Sequence, residues 1–303
     1  MSHGIAGVLP VAHTPFLDDE SIDVDSLQRQ IDWSYSVGAD GFCTGMVTEL
    51  LRLTAAERIE LTRLLGEINA DRGAFVAGVG AESTRQAVEY AEAARESGAH
   101  AVMAIPPISS RLLERELFDY FDTLVRQVGL PVIVQDASSY VGQQIPHSLC
   151  VELLQKHGPE LVLFKPEAAP LGPNLSALRD ATGGAARIFE GSGGISLIDS
   201  FRRGIAGTIP GMEFLSGVIA VWNALQAGDD ERAYRIYFPI CALVALQLQA
   251  GLDGFLAIEK YVLHQRSLFA TTHRRRPFGW ELDEETRSEV DRLLAILERE
   301  LDR

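Results

Sequence analysis

Eight short apolar runs recur along the chain at spacings of roughly 20 to 40 residues, and amphipathic segments of helical length fill the gaps between them. The runs are Gly7–Ala12, Gly41–Gly45, Ala74–Gly80, His100–Ile105, Pro131–Asp136, Leu161–Lys165, Arg187–Gly191 and Gly204–Ile209. Continuous apolar stretches of this length predict strands buried on both faces of a parallel sheet. The intervening segments carry helix start signals. Thr54-Ala55-Ala56-Glu57 reads as a capping box, Asp25 or Ser26 can cap the first helix, and Ser83 can cap the helix leading to Glu96. Gly38, Gly98 and Gly129 each stand where a helix must end in a left-handed residue. Gly38-Ala39-Asp40-Gly41 and Gly98-Ala99-His100-Ala101 look like one helix-to-strand turn used twice.

Eight such units predict an α/β fold, a (β/α)8 TIM barrel over residues 1–223. A doubly wound open sheet is the structural alternative, but it usually carries a glycine-rich loop after its first strand. Val11-Ala12-His13-Thr14-Pro15-Phe16 is nothing like one. Residues 224–303 read as a C-terminal extension of three helices, Ala224–Gly251, Phe255–Leu268 and Asp283–Leu301. The first is strongly apolar across Tyr237–Val244, so it needs cover from the barrel or from a second subunit.

Composition narrows the function classes. The 303 residues are 47% hydrophobic, with a formal net charge of −15. An acidic surface disfavours nucleic acid and anionic membrane as partners. The one basic cluster, His273-Arg274-Arg275-Arg276, is too short to reverse that. Cys43, Cys150 and Cys241 form neither a disulfide framework nor a zinc-ligand spacing. No apolar stretch reaches transmembrane length and no signal peptide pattern is present, so a cytoplasmic protein is expected.

The chain has three lysines, Lys156, Lys165 and Lys260. Lys165 ends the sixth apolar run, where desolvation can lower its pKa from about 10.4 and free its amine to attack a ketone. The alternative is a lysine leaving the strand end to pair with Glu167. In a barrel, functional side chains gather at the carboxyl ends of the strands. Those positions hold His13 and Thr14, Thr44 through Glu49, Gln135 and Asp136 with Tyr140 beyond, Lys165 and Glu167, Glu190, and Thr208-Ile209 with Glu213 following. Gly191-Ser192-Gly193-Gly194 can bind an anion through its N–H groups or simply turn the chain. No pair of histidines has metal-ligand spacing and no serine sits in a nucleophile elbow, so neither a metal nor a Ser-His-Asp triad is expected.

Taken together and in order, several segments resemble the dihydrodipicolinate synthase and N-acetylneuraminate lyase superfamily of class I aldolases. They are Val11–Phe16, Gly38–Gly41, Gly45–Glu49, Leu53-Thr54 with Glu57-Arg58, Val76–Gly80, Pro106-Pro107, Leu130–Val134 and Phe164-Lys165. The resemblance implies a barrel with a helical extension, a homo-oligomer (dimer or tetramer), and a 2-oxo acid such as pyruvate held as an imine on Lys165 with no other cofactor. It also exposes departures. The family's Gly-Thr-Thr-Gly-Glu is Gly45-Met46-Val47-Thr48-Glu49 here, its strand-five tyrosine is Gln135, its Tyr-Tyr after the prolines is Ile108-Ser109, and the synthase's carboxylate-binding arginine is Tyr140. Glutamine hydrogen-bonds but cannot move protons near neutral pH. Tyr140, Glu167 and Glu190 are then the candidates for proton transfer. Gly45, Met46, Val47, Thr48, Gln135, Glu190, Gly191, Thr208 and Ile209 are the candidates for holding substrate. The expected activity is a Schiff-base lyase, an aldolase or a dehydratase of a 3-deoxy-2-oxo sugar acid. Dihydrodipicolinate synthase proper, a non-catalytic barrel binding a small acid, and a phosphate-ligand barrel built on Gly191–Gly194 are the other readings.

Overall fold

The computed structural model describes residues 4–303. Eight strands alternate with helices: β1 (Gly7–Val8), α1 (Val24–Ser36), β2 (Gly41–Cys43), α2 (Ala55–Asn69), β3 (Ala74–Gly78), α3 (Thr84–Glu96), β4 (Ala101–Ala104), α4 (Glu114–Val128), β5 (Val132–Asp136), α5 (His147–His157), β6 (Val162–Pro166), α6 (Leu171–Ala181), β7 (Phe189–Glu190), α7 (Leu197–Arg202), β8 (Gly207–Thr208) and α8 (Leu215–Gln226). Three more helices follow, α9 (Asp230–Leu248), α10 (Gly251–Gln265) and α11 (Glu284–Leu301). No helix among the described residues is long and apolar enough to cross a membrane.

The residues group into two compact units. The first runs through Gly7 and includes Ala55–Gly191 and Asp199–Thr208. Its strands are parallel and in tight register: Val76 faces Ala101, Val102 faces Val132, Gln135 faces Lys165, and Glu190 faces Thr208. Phe164 bridges Ile188, and the Gly7 N–H donates to the Ala206 carbonyl. Every residue of β5 and β6 is buried, as expected for strands covered on both faces. Burial of aliphatic and aromatic strand side chains, at roughly 25 cal/mol per Å² of apolar surface, is the main force holding this sheet.

The second unit comprises Val8–Thr54, Ser192–Ile198 and Ile209–Arg303. In it Val11 bridges both Cys43 and Gly211. A Cβ at Gly217 on α8 would press on Ile240 of α9 and Leu297 of α11 at 3.0 and 3.1 Å, so those methyl groups would have to give way.

Several local expectations hold and several shift. The repeated turn is real. Gly38 and Gly98 have φ of +99° and +80°. In each turn the glycine N–H donates three residues back (Tyr35, Arg95) and the following alanine N–H five residues back (Ser34, Ala94), a Schellman arrangement. Ser83 caps α3 through the Gln86 N–H, and α2 starts directly after Thr54. The first helix, however, is capped by Asp23, whose carboxylate accepts the Ser26 N–H. Asp25 lies one residue inside the helix, where it favours the helix dipole instead. The helix expected from Ala224 begins at Asp230. Gly228 (φ +73°) and the Asp229 cap separate it from α8, a break that the continuous apolar pattern conceals.

Candidate active site

The β5–β6 register dictates the centre of the first unit. Because Gln135 and Lys165 are partners in neighbouring parallel strands, their side chains leave the sheet side by side. Glu167, just past β6, turns back to meet them. Its Oε2 lies 2.7 Å from Lys165 Nζ and accepts a 2.7 Å hydrogen bond from Gln135 Nε2. All three side chains are buried, Lys165 being 5% exposed. The Ser139 hydroxyl donates to the Glu167 carbonyl at 2.6 Å, and the Glu167 N–H donates to the Asp136 carbonyl at 2.9 Å, fixing the segment that carries the carboxylate. Asp136 holds its own loop by accepting the Ser138 and Ile145 N–H groups at 2.9 and 2.8 Å.

Burial pushes the Glu167 carboxyl above its ordinary value, against the pull of the Lys165 ammonium and the Gln135 hydrogen bond; the nearby Glu190 charge pushes the same way as burial. Glu190 is itself fully buried and accepts the Thr208 hydroxyl, its register partner on β8. Gly191 follows directly. A Cβ at this position would overlap Lys165 Cε and Nζ and Glu167 Oε1, so any larger residue would have to displace the ends of both side chains.

The remaining sequence candidates divide. Tyr140 sits in the turn after β5 with its side chain at the surface, 37% exposed, unlike the buried Lys165–Glu167–Gln135 group. In the second unit, Gly45–Thr48 form a tight 3-10 turn that consumes its own donors. The Gly45 N–H donates to Thr48 Oγ1, the Thr48 N–H to the Gly45 carbonyl, and the Thr48 hydroxyl to the Ala12 carbonyl. Thr48 therefore ties two loops together. Ile209 is buried. Glu49, at φ +63°, accepts the Lys260 ammonium and the Arg275 N–H (2.8 Å) and so anchors its loop. Gly193 and Gly194 have φ of +69° and +105°, and Ser192 Oγ accepts the Ser196 N–H at 3.0 Å. That stretch is a tight turn held by its own serine.

A second buried polar group lies wholly in the second unit. His13, Glu213 and Glu259 bring one donor atom each within 4.8 Å of one another. Burial drives His13 down to about 3 and Glu213 up to about 7, and raises Glu259 well above the carboxylate range. Glu259 carries no signal in a motif, but with Lys260 it forms a charged pair inside the otherwise apolar run from Phe255 to Leu263.

Residues 4–297 match the Dihydrodipicolinate synthetase family. The chain belongs to that family. It is 27% identical over 299 residues to the L-2-keto-3-deoxyarabonate dehydratase of Azospirillum brasilense, covering 97% of this chain and 94% of that one. It is 31% identical over 244 residues to 4-hydroxy-tetrahydrodipicolinate synthase 1 of Streptomyces coelicolor, covering 80% and 78%. The crystal structure of dihydrodipicolinate synthase from Rhodopseudomonas palustris superposes with a TM-score of 0.85 at 27% identity, covering 96% of this chain and 97% of that one. The fold is thus the (β/α)8 barrel of the dihydrodipicolinate synthetase family, with C-terminal helices.

Proposed function

We propose that the protein is a lyase that binds a 2-oxo acid as an imine on Lys165 and dehydrates or cleaves a 3-deoxy-2-oxo sugar acid. The carrying observation is a buried lysine ammonium held 2.7 Å from a buried carboxylate that also takes the Gln135 amide. Passing a proton from a buried amine to a neighbouring carboxylate leaves neither charge alone in an apolar site. The free amine attacks the C2 carbonyl, and Glu167 hands its proton to the carbinolamine hydroxyl, which leaves as water to give an iminium and restores the carboxylate. The iminium withdraws electrons from C3, so a C3 proton can leave to Glu167 and an enamine forms. The enamine then expels the C4 hydroxyl, which takes a proton and departs as water. Hydrolysis of the remaining unsaturated imine returns the lysine. In the aldol direction the C4 hydroxyl instead loses its proton, the C3–C4 bond breaks, and an aldehyde leaves behind the enamine of pyruvate.

Glu167 has the environment of a proton carrier, because burial moves its carboxyl toward neutrality. Gln135 orients it and can meet a substrate oxygen. Dehydration is favoured by the near full-length relative that is an L-2-keto-3-deoxyarabonate dehydratase. Replacement of the strand-five tyrosine by Gln135 argues against dihydrodipicolinate synthesis. Incubation with 3-deoxy-2-oxo pentonates and hexonates, with products resolved by mass, tests the reading. Loss of 18 mass units marks dehydration, pyruvate plus an aldehyde marks cleavage, and the absence of both across the panel overturns the proposal.

A further inference from the structure

The basic cluster His273–Arg276 lines a cavity of about 420 Å³ in the second unit. That volume falls within the range of small-molecule sites, about 300–1,000 Å³. Phe278 also lines it, with the Arg274 guanidinium over its ring at 4.0 Å from the centre and that of Arg276 at 5.4 Å. Phe16 carries the Arg275 guanidinium in the same way, at 4.6 Å. A guanidinium placed over a ring engages its flat face and keeps its in-plane N–H edge for an oxyanion. Arg274 is held through Nη1, which donates to the Trp280 carbonyl at 2.9 Å and to the Asp253 carbonyl at 3.4 Å. Its Nε and Nη2 make no hydrogen bond among the described residues. Arg276 is exposed and makes neither a hydrogen bond nor an ion pair among them.

The backbone that carries these arginines is fixed. The Arg275 N–H donates to Glu49 at 2.8 Å, and the Gly279 N–H donates at 2.6 Å to Asp253, which Arg52 pairs at 2.7 Å. A ligand therefore meets a preformed wall, and little ordering opposes its binding. The acids at the cavity are unevenly placed. Asp18 lies 3.7 Å from the His273 ring and Glu20 3.9 Å from Arg275, whereas Arg274 and Arg276 have no ion-pair partner among the described residues. Two guanidinium edges beside one ring suit the oxygens of a phosphate near its dianion, whereas a carboxylate is satisfied by one fork. The exposed carboxylates of Asp18, Glu20 and Glu281 accept hydrogen bonds from hydroxyls and repel a second anionic group. We infer that this cavity binds a sugar monophosphate, with its phosphate on Arg274 and Arg276 and its hydroxyls toward the carboxylates. The site uses none of the residues of the Lys165 group and does not depend on the imine chemistry.

The test is isothermal titration calorimetry of the full-length chain at low salt, with glucose 6-phosphate as the probe and gluconate and inorganic phosphate as comparators. Glucose 6-phosphate should bind once per chain and at least about 10-fold tighter than either comparator. Arg274→Gln and Arg276→Gln should each weaken it about 10- to 100-fold, the loss expected for hydrogen bonds to a charged group. Arg85→Gln, at an exposed position of α3, should leave binding unchanged, and so should Lys165→Ala. Circular dichroism establishes that each variant is folded. Should Arg274→Gln unfold, the exposed Arg276→Gln still decides the matter. A folded wild-type chain with no saturable binding of glucose 6-phosphate overturns the inference. Equal affinity for gluconate or inorganic phosphate, or binding that Arg276→Gln leaves intact, does the same.

Discussion

Gln135 and Lys165 face each other across β5 and β6, and both deliver an N–H to the same oxygen, Glu167 Oε2, at 2.7 Å. Where the family resemblance leads one to expect a tyrosine phenol beside the lysine, this chain places an amide that hydrogen-bonds a carboxylate. The chemistry assigned to the site follows from that exchange, because an amide cannot carry a proton and the carboxylate can.

Glu167→Gln should separate imine formation from proton transfer. The isosteric amide removes the proton acceptor while preserving shape. A fall in kcat of about 10²- to 10⁴-fold is expected. Lys165 should still be modified slowly by pyruvate under reducing conditions, as read by intact mass.

Gln135→Leu should act on binding more than on turnover. It removes a hydrogen bond to a charged group, costing about 1.5–3 kcal/mol of stability as measured by urea denaturation. In steady-state kinetics KM should rise more than kcat falls, because the amide meets substrate and intermediate alike.

Gly191→Ala should fail for steric reasons. Its methyl group would occupy the space of Lys165 Nζ and Glu167 Oε1. Overpacking of this kind costs about 1–3 kcal/mol. The melting temperature should fall and Lys165 should lose reactivity, whereas Gly98→Ala, far from the lysine in sequence, should lower stability and spare the chemistry.

Asp122 should mark the acid limb of stability. Burial opposes its ionisation, but hydrogen bonds from Lys156, His157 and Arg126 outweigh burial and hold the carboxyl down at about 2. A depressed carboxyl stabilises the fold above its unfolded pKa and loses that contribution as pH falls through the folded value. Two of the partners are about half exposed, so screening leaves about 1 kcal/mol. Urea denaturation should show Asp122→Asn less stable than the parent at pH 6, with the gap narrowing below a pH of about 3.8.

The sequence exposes most of this architecture because the strands of a parallel barrel are continuous apolar runs and the turns between units reuse glycine in a left-handed conformation. The strand from Leu161 to Lys165 is displaced by one residue, to Val162–Pro166, and Lys165 stays near its end. Strands β1, β7 and β8 are much shorter than their apolar runs, since only two residues of each join the ladder. Site partners were legible where they lie close in sequence, as Lys165 and Glu167 do. The pairing of Gln135 with Glu167 needs the strand register, which no local pattern encodes. The meeting of His13 with Glu259 depends on distant segments folding together, so no local spacing reveals it. Thr48 shows the converse. Its type and position suggest proton relay, yet its hydroxyl is spent on the Ala12 carbonyl and the Gly45 N–H.

The central claim is that Lys165 is the imine-forming group, and sodium borohydride reduction in the presence of pyruvate tests it most directly. Peptide mass mapping should find a stable adduct on Lys165, absent from Lys156 and Lys260 and abolished by Lys165→Ala. A folded protein that gains no adduct, or one whose adduct persists in Lys165→Ala, would contradict the account.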